Sequence, residues 1–161
     1  ADLFAAMKLL DPERVELIVL GSQLVPLSFY KEQCPNFTYE STRPHAEVLS
    51  LMASCDVFCL PSIVEGRALV MQEAMSQGLP VIITANTGGA DLVLPDESGF
   101  LVPIRAPEAI AKSIQWFVDN RREIPRMGEA ARRHAARYTW AAYGEAVVSE
   151  VMNYLQENNP A

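Results

Sequence analysis

Residues 61–80 read PSIVEGRALVMQEAMSQGLP, and this stretch decides the fold. The apolar run DVFCLP enters it and the apolar run VIIT (81–84) leaves it. Between them lie a turn carrying Glu65-Gly66 and a helical pattern, ALVMQEAMSQ, closed by Gly78 and Pro80. Gly and Pro directly after a periodic segment are stop signals, so the stretch is a strand–turn–helix–strand unit. Its turn and first two helical turns hold two carboxylates, Glu65 and Glu73, eight residues apart. In a parallel α/β sheet, a turn of this kind lies at the carboxyl end of a strand, where ligands bind. The helix that follows aims its N–H groups and positive dipole end into the same crevice.

The pattern repeats outward from this unit. Strands are predicted at 15–21, 37–40, 57–61, 81–84 and 99–102. Helices are predicted at 2–10, 26–34, 46–54 and from 106 onward, where Ile110, Ile114, Phe117 and Val118 form an apolar stripe. A further helix is expected at 125–137. In a last one, capped by Thr139, the inner face is expected to be Tyr143, Val147, Val151 and Tyr154. Apolar strands alternating with helices through short loops imply a parallel sheet covered on both faces. The fold class is therefore α/β: a Rossmann-like, doubly wound three-layer sandwich with extra C-terminal helices. Residues 1–161 form one domain, a length sufficient for a real core.

The formal charge is −7, from 13 Lys and Arg against 20 Asp and Glu. That balance argues against nucleic acid or anionic lipid as a partner of the whole surface. Cys34, Cys55 and Cys59 show no zinc-type spacing, and no Asp-x-Asp pair or His cluster is present, so no metal site is expected. Buried free thiols fit a reducing, cytoplasmic setting. No apolar run is long enough to span a bilayer. The chain opens inside a helical pattern, without Met, and is expected to be a piece of a longer protein.

Glu73 shares a helix face with Gln72, Ser76 and Gln77 and is readable either as a solvent residue or as a ligand. Glu65 precedes Gly66, which permits close backbone approach to a ligand. Ionised carboxylates only accept hydrogen bonds, which suits recognition of polyol hydroxyls. The string E-G-x-x-L-x-x-x-E-A-M, preceded by D-V-F-C-L-P-S and followed by G-L-P-V-I, resembles the nucleotide-sugar-binding lobe of retaining two-lobed (GT-B type) glycosyltransferases, group 1. The likeness runs from about residue 2 to 151. It implies a transferase of carbohydrate biosynthesis that moves a sugar from a nucleotide diphosphate sugar to an acceptor hydroxyl with retention. It also implies no cofactor beyond that donor substrate.

By the resemblance, Glu65 contacts the donor sugar in the catalytic centre and Glu73 binds the ribose diol. The backbone of Gly66, Arg67, Ala68, Leu69 and Val70 faces the sugar and diphosphate. His45 falls near the base. The chain would be the C-terminal donor-binding lobe, lacking its first strand, the basic phosphate loop and the acceptor-binding lobe. An acceptor lobe of that kind would supply any peripheral membrane contact, and the strand-less sheet should show an unpaired edge.

The family pattern E-G-F-G is replaced by Glu65-Gly66-Arg67-Ala68, and the acidic residue after Gly88-Gly89 is offset to Asp91. Arg67 suits a phosphate or an acidic sugar, or solvent. These departures support an alternative, a non-catalytic nucleotide-binding or interaction module of the same fold. A dinucleotide enzyme is disfavoured, because VLGSQLV carries one glycine where G-x-G-x-x-G is required. The arginines at 121, 122, 126, 132, 133 and 137, with His134 among them, read as a solvated helical face. Trp140 is expected to pack against the sheet.

Overall fold

A computed structural model describes residues 1–158. The strands are β1 (Ile18–Leu20), β2 (Thr38–Glu40), β3 (Phe58–Leu60), β4 (Val81–Thr84) and β5 (Gly99–Val102). The helices are α1 (Asp2–Met7), α2 (Leu27–Gln33), α3 (His45–Ala53), α4 (Leu69–Ser76), α5 (Pro107–Asp119), α6 (Ile124–Ala135) and α7 (Trp140–Asn158). Every strand pairing is parallel.

Alternation along the strands makes the layers. Val81 and Ile83 of β4, with Phe58 and Leu60 of β3, pack beneath Met71 and Met75 of α4 and Ala131 and Ala135 of α6. Ile82, Cys59, Phe100 and Val102 point to the other face, against Ala6 of α1 and Ile110 and Phe117 of α5. A strand period of two divides one apolar run between two helical layers, so all four β4 side chains are buried. Removing Ile82 to Ala is expected to cost about 2–5 kcal/mol, as for other fully enclosed aliphatics.

The sheet is divided. β1 pairs with β2, and β3 with β4 and β5, but among the described residues no ladder joins β1 to β3. The two halves nevertheless lie side by side. Val15 and Val57, which precede β1 and β3, belong to one apolar cluster. The Cys55 thiol is pushed up mainly by burial, opposed by a hydrogen bond with Ser54 and aided by the smaller effects of Asp56 and of Glu16 just ahead of β1. Both strands flanking the gap are only half-buried, in contrast to β4. α1 bridges the halves: it packs on α5, while its Phe4 ring stacks on Phe37, 5.1 Å between centroids, next to β2.

Three expectations need correction. The face Tyr143–Val147–Val151–Tyr154 of α7 is exposed, and no described residue of this helix is buried. Its apolar stripe is real, but no element of the described chain covers it. Trp140 likewise does not reach the sheet; it is 80% exposed and meets Tyr143 edge-on. Thr139 does cap the helix, its Oγ1 accepting from the N–H of Ala142 at 3.1 Å. In the basic stretch all six arginines are exposed, yet His134 is buried with Met127 and Ala131. Arg132 also does more than face water: Nε and one terminal nitrogen donate to the carbonyls of Ser76 and Gln77, satisfying the end of α4.

Candidate functional site

Parallel strands place all their following loops on one end of the sheet. That end collects residues 41–44 after β2, 61–68 after β3 and 85–92 after β4. The last two loops are stitched together by backbone. The N–H of Glu65 donates to the carbonyl of Asn86 at 2.9 Å, and that of Ala68 to Thr87 at 3.4 Å. Thr84 Oγ1 donates to the Ser62 carbonyl at 2.5 Å, and Thr87 Oγ1 to that of Thr84 at 2.7 Å. Gly88 has φ 66°, and a Cβ there would stand 1.7 Å from the carbonyl oxygen of Gly66. The Gly-Gly turn is therefore required by contact, since only glycine lets the two backbones approach this closely.

On this platform Glu65 is exposed at the mouth, its Oε2 accepting from Ser62 Oγ at 3.0 Å. Gly66 and Arg67 follow it, and α4 then begins at Leu69 with Ala68 as N-cap and no side-chain cap. A helix start without a side-chain acceptor retains outward-facing donors in its first turn, here those of Leu69 and Val70. Leu69 is half exposed at this edge, whereas Ala68 is buried and its N–H is turned toward Thr87. Glu73 lies on the second turn of α4, partly exposed, with Oε1 3.1 Å from Nε2 of His45. His45 therefore faces a carboxylate.

Arg67 is not free either. Its guanidinium meets the Asp91 carboxylate through two nitrogens at 3.1 and 3.5 Å, and it lies 5.1 Å from the centre of the Tyr138 ring. Tyr138 O–H donates to the Asp91 carbonyl at 3.2 Å. Burial, then the Asp91 charge, pushes the Tyr138 phenol up, and Arg67 opposes this. His134 Nε2 is 2.9 Å from the same carbonyl; a carbonyl only accepts, so that nitrogen carries hydrogen. Its Nδ1 is buried without a hydrogen-bond partner among the described residues. Apart from the offset of Asp91, no local pattern announces this Arg67–Asp91–Tyr138–His134 group. Its members come from three separate segments.

No group of three or more His, Cys, Asp or Glu side chains converges as a metal site among the described residues. No described helix is long and apolar enough to cross a membrane. The cysteines are free; dense surroundings push the Cys59 thiol up to about 12, although the residue keeps some open surface along the edge of β3.

The chain is 37% identical over 108 residues to a D-inositol 3-phosphate glycosyltransferase of Corynebacterium diphtheriae, covering 66% of this chain and 25% of that one. It is 37% identical over 81 residues to a putative colanic acid biosynthesis glycosyltransferase of Escherichia coli, covering 47% of this chain and 20% of the other. The chain thus spans about a quarter of the curated relatives it matches. Among solved structures, Anabaena HepE in complex with UDP superposes with a TM-score of 0.81 at 22% identity, covering 96% of this chain and 44% of that one. The sucrose-phosphate synthase of Thermosynechococcus elongatus gives 0.74 at 23%, covering 98% and 42%. These structural likenesses establish the Rossmann-like α/β fold of GT-B glycosyltransferases. The family model for glycosyl transferases group 1 matches residues 1–134, and the chain belongs to that family.

Proposed function

We propose that this chain is the donor-binding part of a retaining glycosyltransferase, moving a sugar from a nucleotide diphosphate sugar to an acceptor hydroxyl. The observation that carries this reading is the placement of Glu65 and Glu73 on one strand–loop–helix unit at the carboxyl end of the sheet. Glu65 accepts hydrogen bonds from the sugar hydroxyls in the catalytic centre, and Glu73 from the ribose diol. Gly66, Arg67, Leu69 and Val70 line the path of the diphosphate, with Ala68 as the buried hinge of the turn. The bond from the anomeric carbon to the diphosphate oxygen breaks, and the electron pair leaves with the diphosphate. The acceptor oxygen bonds to the same face of that carbon, and its proton passes to the departing diphosphate. Residues on this lobe contribute positioning and charge stabilisation, with the start of α4 favouring the growing negative charge. The donor is a substrate and no other cofactor enters. Free thiols suit the cytoplasm.

We further propose that the gap between β1 and β3 receives a parallel strand from a segment leading into α1. Ala1, Asp2 and Leu3 line one depression with Pro61, Ser62 and Ile63, beyond the carboxyl end of β3. A strand running beside β3 would finish there and pass directly into α1. An acceptor-binding lobe and a basic phosphate loop belong to the same longer protein in this reading.

Calorimetry with UDP, GDP and ADP tests the nucleotide half of the proposal. Glu73→Ala should weaken binding by about 1.5–3 kcal/mol through lost charged hydrogen bonds; unchanged affinity would remove the ribose role. A second reading, nucleotide binding without transfer, draws on two findings: the N–H of Ala68 is already bonded, and Arg67 is held by Asp91. Nucleotide binding without turnover of any nucleotide sugar by the whole protein would favour it.

A further inference from the structure

His45 and Glu73 are 28 residues apart in sequence and meet across two helices. His45 is the first residue of α3, and Val48, Leu49 and Met52 continue its stripe at helical spacing. On α4 the matching stripe is Val70, Glu73 and Ala74. Met52 and Ala74 are buried together, with Val48, Leu49 and Val70 packed against them. The apolar packing lower down sets the helix separation and brings the His45 imidazole within 3.1 Å of Glu73 Oε1 at the top. A carboxylate only accepts, so His45 Nε2 donates. One Glu73 oxygen is engaged, and the other remains to accept.

A glutamate on a helix surface has several rotamers, and fixing one of them on ligand binding costs conformational entropy. We infer that His45 is a positioning residue for Glu73: it holds the carboxylate in the rotamer that offers its second oxygen to a vicinal diol, the ribose of the donor. This rests on the reading of Glu73 given above. It also changes the role expected for His45 from the resemblance, which set it near the base. Its ring is committed to the carboxylate that meets the sugar of the nucleotide.

The test is calorimetry of the wild-type protein and its variants with the tightest binder among UDP, GDP and ADP, and with that nucleotide's 2′,3′-dideoxy form. His45→Ala should weaken binding of the ribonucleotide about two- to fivefold, the range of an exposed charged hydrogen bond, and leave the dideoxy form unaffected. His45→Gln, whose amide nitrogen lies near the place of Nε2, should restore affinity. In a Glu73→Ala background, His45→Ala should cause no further loss. An unchanged affinity of His45→Ala alone overturns the inference. So does a loss that persists with the dideoxy nucleotide or in the Glu73→Ala background, since that would mark a direct base contact. Those results leave the role of Glu73 standing. Wild-type affinity in Glu73→Ala, or no binding of the three nucleotides by the wild type, overturns that role itself and the inference with it.

Discussion

Gly88 lies against Gly66 so closely that a single added methyl group would occupy the space of the Gly66 carbonyl oxygen. The loop carrying Glu65 is thereby referenced to the loop after β4, and not to its own strand alone. Bonds from Glu65 to Asn86 and from Ala68 to Thr87 fix the rest of the register.

Gly88→Ala should consequently damage both stability and ligand binding. The left-handed backbone at Gly88 costs a non-glycine residue about 1–3 kcal/mol before any clash is counted. The contact with backbone cannot be relieved by a rotamer change. A melting experiment should show a loss on the order of 3 kcal/mol, accompanied by weakened nucleotide binding. A stable variant with wild-type affinity would show that the two loops move independently.

Alkaline pH should destabilise the protein through Cys59. Its folded-state thiol is pushed up to about 12 by burial, while an unfolded cysteine ionises near about 8.5. Below the unfolded value the thiol is protonated in both states, and its contribution is fully present. Between the two values the unfolded chain releases a proton that the folded chain keeps, so stability falls as pH rises through this window. Cys55, also raised, adds to the same trend. Urea titrations from pH 8 to 11 should show the decline, and Cys59→Ala should flatten it relative to wild type. Equal slopes would place the alkaline loss elsewhere.

The gap in the sheet has its own signature in amide exchange. The N–H of Phe58 is bonded to the carbonyl of Pro80, just ahead of β4. In a parallel ladder successive residues turn their N–H groups to opposite sides, so that of Cys59 points into the gap. Across it, Thr38 donates to the Leu17 carbonyl and Gly21 to that of Glu40, which turns Ile18 and Leu20 toward the same gap. These three amides should exchange quickly in the described chain, while those of Ile82 and Ile83 are protected. A strand supplied ahead of α1, as proposed above, should slow all three. Slow exchange without it would mean that the edges are already satisfied.

Much of this arrangement was legible in the sequence. DVFCLP and VIIT are continuous apolar runs between turn signals, and a strand covered on both sides needs such a run. Their positions, and that of the helix between them, were therefore determined locally. The placement of Glu65, Gly66 and Glu73 on one strand–loop–helix unit was legible through their spacing and context. What escaped depends on contacts between distant segments. Helical periodicity identified the stripe of α7, but it reveals nothing of what covers a stripe, and within the described chain nothing does. His134 was read with its arginine neighbours as solvated, although its position between Ala130 and Ala135 turns it inward. The partnerships of Arg67 with Asp91 and of His45 with Glu73 join loops and helices that only folding brings together.

The bridging position of α1 has a mechanical consequence. A helix of six residues, with Phe4 lying on Phe37, is a slender fastening between two slabs of backbone. In the described chain, without the strand proposed for the gap, the seam should part on gentle warming before the interior around β4 loosens. Nucleotide capture would then fade at temperatures where circular dichroism still reports an intact protein, because the mouth draws its residues from both sides of that seam.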